Sequence, residues 1–242
     1  MIYAIYRIHY GLDFLEKSIN SIIDEVDNVF VFWSKQPWYK GCKNLPPLNE
    51  DVGKFCKQWK HKVTVIEKEF DLPDNQFYKM YSHVISEYTA PQKVLMMEPD
   101  MVWNKNSLKE AMKLNDDEIS FNQIEFWKTD KWYIKRDRPG PTIYNKPPPN
   151  TKKGCWSESQ KVHPTIRCFN YGFCLSPEVM LYKHIVAIQS SEYYKDSLPS
   201  DVTVPKDAVT TKCKVRVLNP DYDASKKDSY ETRESRKEWS YV

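Results

Sequence analysis

Short apolar runs alternate with stripes of apolar residues at helical spacing through the first half of the chain. The runs are rich in Ile, Val, Phe and Tyr, which is typical of buried strands. The stripes predict amphipathic helices. Strands that alternate with helices predict an α/β fold with a mostly parallel central sheet flanked by helices. The predicted strands are 2–8, 28–33, 62–70 and 93–97, and the predicted helices are 12–26, 77–88 and a third from about Ser107.

The second half of the chain has fewer helical stripes and predicts a mixed arrangement. Ser107 and Glu110 form a capping-box pattern at the start of the third helix. Ser176-Pro177 predicts another helix, with Ser176 as its cap and Pro177 in the first turn. Residues 136–154 contain five prolines and are expected to form a long loop. The further predicted strands are 118–127, 131–135 and 165–176.

Composition favours one folded domain that ends in a charged tail. Hydrophobic residues make up 40% and charged residues 29% of the 242 positions, which is a globular balance. We expect a single domain at 1–220 and a tail at 221–242 that has few aliphatic residues and is predicted to be flexible. The 36 basic and 33 acidic side chains nearly cancel. This balance argues against a nucleic-acid partner, since such binding depends on neutralising phosphates.

The pattern also predicts a compartment. Arg7 and His9 interrupt the first apolar run early, unlike a signal peptide. No stretch reaches the roughly 18 apolar residues of a transmembrane segment. The six cysteines include no C-x-x-C pair. We therefore expect a cytoplasmic protein with free thiols.

Polar residues follow the predicted strands at one edge of the sheet, where ligands bind in parallel α/β folds. Glu98 and Asp100 come directly after the buried strand 93–97. Since alternate residues of a strand point to the same side, both carboxylates are expected to face one point. Oxygen ligands of this kind suit Mg²⁺ or Mn²⁺, which also bind phosphate oxygens.

This arrangement resembles the glycosyltransferases of the GT-A fold, including family-two-like enzymes. The resemblance covers residues 1–115 and rests on the order of elements and on the segment 94–103, whose Glu98-Pro99-Asp100 is similar to the DXD motif. It implies that Asp100, with Glu98, binds a metal that holds the donor diphosphate. It also implies a nucleotide-sugar-binding half at 1–115 and an acceptor-side half at 116–220.

The resemblance assigns donor contacts along the same edge. Tyr6 and Arg7 would lie near the nucleotide, and Ser34 would lie near the base. Residues near the ribose or phosphate would be Asp74, Asn75, Gln76 and Lys79, although Asp74 is equally well explained as a helix cap.

On the acceptor side, the resemblance implies aromatic contacts and a carboxylate base. The aromatic candidates are Trp103, Trp127 and Tyr171. Glu125 is the preferred base because it ends a predicted strand beside aromatic residues, and Glu178 and Asp201 are the alternatives. His163 is a candidate third metal ligand supplied by a loop.

The predicted function is therefore metal-assisted transfer of a sugar from a nucleotide-diphosphate sugar to a glycan or another hydroxyl acceptor. Inversion of the anomeric configuration is favoured. Two alternatives stay open. One is a sugar-phosphate nucleotidyltransferase, although Arg7-Ile8-His9-Tyr10-Gly11 has a single glycine where a Gly-rich phosphate loop is usual. The other is a non-catalytic carbohydrate-binding protein that kept the fold.

Overall fold

The structure is a computed structural model. It describes residues 1–36, 50–69, 76–127, 129–134, 138–148, 150, 161–176, 179–180, 182–183, 186 and 230–232. For residues 127, 129–134, 138 and 230–232 only the backbone is described.

The first half of the chain forms the predicted alternation of strands and helices. Its strands are β1 (Ile2–Ile8), β2 (Asn28–Trp33), β3 (Val63–Glu67), β4 (Lys93–Met97) and the short β5 (Met101–Val102). Its helices are α1 (Leu15–Ile22), α2 (Val52–Phe55), α3 (Gln76–Glu87) and α4 (Lys105–Met112), with 3₁₀ turns at Leu12–Phe14 and Cys56–Trp59.

The second half adds β6 (Glu118–Trp127), β7 (Thr129–Ile134), β8 (Arg138–Tyr144), β9 (Val162–Phe173) and β10 (Tyr230–Thr232). Residues 179–180, 182–183 and 186 are helical and are called the C-terminal helical segment below. The amide of Met180 donates to the carbonyl oxygen of Ser176 at 2.9 Å, in agreement with the helix predicted to start there.

The ten strands of the described residues form one sheet. The order β3-β2-β1-β4 is parallel throughout, and it continues through antiparallel β8 to β6, β7 and β10. Strand β9 pairs in parallel with β6 and antiparallel with β5, so it lies between them. A parallel first half with a mixed second half confirms the predicted GT-A-like α/β fold class.

Apolar residues cover both faces of the parallel half. Tyr6 and Ile8 of β1 pack on the side of α1 and α4, whereas Tyr3 and Ile5 pack on the side of α3. Because side chains alternate along a strand, Arg7 shares the α3 side with Tyr3 and Ile5. Neighbouring residues at the end of β1 therefore point in opposite directions.

The loop predicted for 136–154 is wrong in part, because strand β8 lies within this range. Pro139 and Pro141 lie within it, but β4 pairs only with residues 142–144 of β8. On the other side, the register of β6 shifts between Ser120 and Asn122, beside Pro139. The two prolines thus occupy places where a missing N–H group breaks no ladder bond to β4.

Two local predictions were also wrong. The helix predicted over 12–26 is shorter, because a 3₁₀ turn comes first and α1 ends at Ile22. Helix α4 begins before Ser107, since the side chain of Asn104 caps it by accepting from the amides of Asn106 and Ser107. Within the described residues, no helix is long and apolar enough to span a membrane.

Candidate functional site

Three elements meet at a buried ion pair, which we call the clamp (Arg7, Gln76 and Glu98). Arg7 ends β1 and is only 7% exposed. Its guanidinium donates to Gln76 Oε1 at 2.8 Å and forms an ion pair with Glu98, which follows β4. The guanidinium carbon also lies 5.4 Å from the centre of the Phe77 ring. The clamp therefore joins the carboxyl ends of β1 and β4 to the first turn of α3.

A second group of polar residues lies where the turn after β4 meets the end of β9. The Asp100 side chain is 12% exposed, and the Lys183 ammonium lies 4.0 Å from Asp100 Oδ2. That ammonium donates to the Gly172 carbonyl at 2.9 Å and lies 5.2 Å from the Phe173 ring centre. The Asp100 carbonyl accepts from the Tyr171 amide at 2.8 Å, which fixes the turn against β9.

Gly172 makes this close approach possible. A Cβ atom at Gly172 would lie 2.5 Å from Asp100 Oδ2, 2.9 Å from Asn170 Oδ1 and 3.1 Å from Lys183 Nζ. Each of these distances is too short or nearly too short for a real carbon atom. A glycine is therefore needed for the carboxylate and the ammonium to pack against the backbone of β9. We call Asp100, Gly172 and Lys183 the turn cluster.

Glu125 lies one strand further along the sheet and is 1% exposed. In the register of β6 and β9 it is the partner of Asn170, so the two side chains leave the sheet on the same face. The Asn170 amide donates to Gln123 Oε1 at 2.8 Å on that face. Since β9 lies between β5 and β6, Glu125 and Asp100 are about 10 Å apart along the sheet, two strand spacings.

Both carboxylates also act on one buried thiol. Burial, followed by the charges of Asp100 and Glu125, raises the pKa of Cys168 well above its usual value. The Cys168 thiol is therefore protonated at neutral pH and is not a nucleophile.

The end of β2 is tied to the C-terminal helical segment through His9. Nδ1 of His9 is 2.8 Å from the Ser34 carbonyl oxygen, and Nε2 is 3.1 Å from the Tyr182 hydroxyl. Because a carbonyl only accepts, the Nδ1 atom carries the proton. Burial lowers the pKa of His9. Ser34 itself is 1% exposed and donates to the Gln36 carbonyl at 2.6 Å.

The described residues do not fit a preformed divalent metal site. They include no group of three or more His, Cys, Asp and Glu side chains that could hold one. The Glu98 carboxylate is paired with Arg7, and the Asp100 carboxylate faces the Lys183 ammonium. His163 lies near the start of β9, about 20 Å along the strand from Asn170. The structure does not bring His163 to Glu98 or Asp100.

Three aromatic candidates lie away from this edge. Tyr6 is completely buried on the α1 side and bonds to Ser18 Oγ at 2.9 Å. Trp103 is also completely buried, and its indole N–H donates to the Met97 sulfur at 3.4 Å. Tyr171 is 1% exposed and stacks on Phe14 at 4.6 Å between ring centres. Tyr6 and Trp103 belong to one buried cluster and Tyr171 to a second, so all three side chains fill the core.

Of the remaining candidate site residues, the structure describes the side chain of one, Lys79. Lys79 is exposed, one turn after Gln76 in α3. Outside the described residues or side chains lie Asp74, Asn75, Trp127, Glu178 and Asp201.

Sequence reasoning missed Lys183 and Asn170. A signal for Lys183 exists, because Val179 and Val186 are buried and are separated by two helical turns. Lys183 lies between them on the same face, where an isolated charged residue indicates a buried polar contact. Asn170 had a weaker signal, as a polar residue within the aromatic strand Phe169-Asn170-Tyr171.

A cleft of about 420 Å³ opens on the other face of β9. It lies between α1 and β5, and its lining residues include Lys17, Trp103 and Tyr171. The Lys17 ammonium covers the Tyr171 ring, 4.6 Å from its centre. Because the sheet separates this cleft from Asn170, it does not belong to the edge that carries the turn cluster.

Several solved proteins are similar in structure to the chain. Similarity to residues 1–349 of TarS from S. aureus has 12% identity and a TM-score of 0.42, and covers 78% of this chain and 64% of that one. The inositol-1-phosphate CTP transferase from T. maritima gives 12% identity, a TM-score of 0.38, and coverages of 59% and 70%. The 4-diphosphocytidyl-2C-methyl-D-erythritol synthase from Anaerococcus prevotii gives 9% identity and a TM-score of 0.36. The match covers 60% of this chain and 70% of that one.

No protein-family model matches the chain, and no curated protein matches its sequence. The chain spans just under two thirds of the TarS structure. With all TM-scores below 0.5, these similarities assign no activity. The GT-A-like fold class rests on the strand order, and the function has to be argued from the residues at the edge of the sheet.

Proposed function

We propose that this protein is a glycosyltransferase that moves a sugar from a nucleoside-diphosphate sugar to a hydroxyl acceptor. The observation that carries the proposal is the placement of Asp100, Lys183 and Glu125 around the end of β9. One side of β9 offers a cation beside a carboxylate, which suits a charged leaving group. The other side offers a second, buried carboxylate, which suits a base.

The reaction would break the bond between the sugar C1 and the diphosphate oxygen. The electron pair of that bond passes to the diphosphate, which leaves with one more negative charge. The acceptor oxygen forms the new bond to C1, and Glu125 takes its proton. Asp100 and Glu125 lie on either side of β9, about 10 Å apart along the sheet, so the leaving group and the acceptor would be held by different strands.

The donor nucleotide would occupy the edge formed by β1, β2 and α3. Arg7 and Gln76 lie there with Ser34 nearby, and Lys79 is one turn further along α3. We assign this nucleotide-sugar-binding role to residues 1–115 and the acceptor role to residues 116–220. Tyr6, Trp103 and Tyr171 are given structural roles instead, since all three are buried in the core.

The amides after β1 favour this proposal over a nucleotidyltransferase. In a nucleotidyltransferase, backbone N–H groups after the first strand would cradle phosphates. Here the amides of Gly11 and Leu12 donate to the Glu50 carboxylate, at 2.9 Å and 3.1 Å. A phosphate would have to displace that carboxylate.

A donor-hydrolysis and transfer assay tests the proposal. With a panel of nucleoside-diphosphate sugars, we expect release of nucleoside diphosphate, faster with glycan acceptors. Glu125→Gln keeps the shape of the side chain and removes the base, so turnover should fall about a hundredfold with little change in donor affinity. The matched control is Asp117→Asn, whose carboxylate is 67% exposed and pairs with Lys146.

The outcomes separate the alternatives. Binding of nucleotide sugars without any hydrolysis or transfer would favour a non-catalytic carbohydrate-binding protein. Formation of a nucleotide sugar from a sugar phosphate and a nucleoside triphosphate would favour the nucleotidyltransferase. If Glu178→Gln or Asp201→Asn stops turnover and Glu125→Gln does not, the base is one of those residues.

A further inference from the structure

We infer that the diphosphate of the donor is neutralised by the Lys183 ammonium and not by a divalent metal, so that binding and transfer do not require Mg²⁺ or Mn²⁺. This inference rests on the proposed function and specifies how its donor site handles charge. It differs from the sequence-based expectation, in which Glu98 and Asp100 hold the metal. The step is the same transfer, with the Lys183 N–H groups donating to the diphosphate oxygen that gains the electron pair.

A metal at this edge would need the carboxylates of Glu98 and Asp100. The Glu98 carboxylate forms an ion pair with Arg7, whose guanidinium is 7% exposed and also donates to Gln76. A metal could use Glu98 only by breaking this pair and leaving a buried cation without its counter-charge. Among the residues that the structure describes, that leaves Asp100 as the other carboxylate of the turn after β4.

A cation, the Lys183 ammonium, already lies beside Asp100. Lys183 Nζ is 4.0 Å from Asp100 Oδ2 and is held there by its hydrogen bond to the Gly172 carbonyl. A divalent ion bound to Asp100 would stand within a few ångströms of this ammonium, and the two cations would repel each other. The ammonium occupies the place beside the carboxylate that a metal would take.

The Lys183 ammonium is accessible to a ligand from solvent. Its side chain is 29% exposed, so the ammonium reaches solvent at the edge of the sheet while the chain stays anchored. An ammonium has three N–H donors, and one of them goes to Gly172. Lysine side chains bind phosphates as point charges in many sites. The position of Lys183 is therefore suited to a diphosphate that enters over Asp100.

Calorimetry with nucleoside diphosphates as probes tests this inference. UDP, GDP, CDP and ADP are titrated into the wild-type protein, once with EDTA and once with Mn²⁺. We expect at least one of them to bind with the same Kd, within about threefold, in both conditions. If EDTA raises the Kd tenfold or more, the inference is overturned while the proposed function stands.

Variants at Lys183 sharpen the test. Lys183→Met keeps the length and removes the charge, so the Kd in EDTA should rise about tenfold or more, and Lys183→Arg should restore most of the affinity. Since Lys183→Met also frees Asp100 from its cation, Mn²⁺ should now improve binding. The matched control is Lys161→Met, whose ammonium is 62% exposed and pairs with Asp116.

Two further results would count against the inference. An unchanged Kd in folded Lys183→Met would remove Lys183 from the donor site. Binding of none of the four diphosphates by the wild-type protein, with or without Mn²⁺, would overturn both this inference and the proposed function. Circular dichroism of each variant shows whether it is folded, and the wild-type comparison with EDTA depends on no variant.

Discussion

The clamp and the turn cluster both pair a carboxylate after β4 with a cation from elsewhere, yet they differ in closeness. In the clamp, Arg7 is in direct contact with Glu98, and Gln76 completes the contact. In the turn cluster, Lys183 and Asp100 are 4.0 Å apart and the ammonium is bonded to a backbone carbonyl. The close pair is suited to holding elements together, and the looser pair is suited to accepting a ligand.

The largest expected effect is a loss of transfer activity when the charge of Asp100 is removed. Asp100→Asn removes the charge that orients Lys183, and we expect transfer to fall at least about a hundredfold, as for other groups that stabilise a developing charge. The free energy of unfolding should change by less than about 1 kcal/mol, because Asn has the same size as Asp and Lys183 keeps its bond to the Gly172 carbonyl. Steady-state kinetics and urea denaturation measure the two quantities. Full activity in this variant would remove Asp100 from the site.

The next effect is on stability and concerns the clamp. Glu98→Gln leaves the buried Arg7 guanidinium without its counter-charge, so the free energy of unfolding should fall by about 2 kcal/mol. Urea denaturation measures the loss, and Glu67→Gln is the control because its pair with Lys35 is about half exposed. A loss equal to that of the control would show that the clamp contributes no more than a surface pair.

A smaller effect tests the packing of the turn cluster. Gly172→Ala introduces a carbon 2.5 Å from Asp100 Oδ2, so the carboxylate and Lys183 must move apart. We expect kcat/KM to fall about tenfold, which corresponds to about 1.4 kcal/mol of transition-state stabilisation. Gly53→Ala is the control, since its nearest neighbour is at 3.4 Å. Wild-type kinetics for Gly172→Ala would mean that the cluster tolerates the displacement.

The smallest effect is a pH dependence at the segment that carries Lys183. Burial lowers the pKa of His9 in the folded protein, so the unfolded chain takes up a proton at a higher pH than the folded one. The contribution of neutral His9 is complete above its unfolded pKa, about 6.5, and is lost as the pH falls toward the lowered folded value. Urea denaturation between pH 8 and about pH 5 should show this loss in the wild type and less of it in His9→Gln. Parallel pH curves for the two proteins would exclude His9 as the cause.

The sequence predicted the parallel half well because its signals are local. Apolar runs and helical stripes identified β1 to β4 and α3, and the strand-end rule identified Arg7, Gln76, Glu98 and Asp100 as residues of one edge. Tyr6, which the resemblance implied to lie near the nucleotide, is completely buried on the α1 side. Both faces of the sheet are covered by helices, so the pattern does not tell which of two adjacent residues points to the site.

The second half was harder to predict because its contacts are distant along the chain. Pro139 and Pro141 indicated a loop, and only the early end of β4 and the shifted register of β6 explain how they fit a strand. Lys183 meets Asp100 although the two residues are 83 positions apart in the chain (183 minus 100), through a helix that sequence patterns place only approximately. Part of the tail predicted to be flexible, residues 230–232, forms β10 against β7.

The central position of β1 also has a consequence for how the protein is made. The clamp joins Arg7 to Glu98, which are 91 residues apart, and closing so long a loop costs chain entropy before any contact is gained. At a synthesis rate of about 5–20 residues per second, Arg7 exists for several seconds before its partner carboxylate has been made. Through that interval β1 can pair with β2 on one side only, and its other edge stays unpaired until β4 has been made. The first strand to be synthesised is thus among the last in the parallel half to have both of its edges covered.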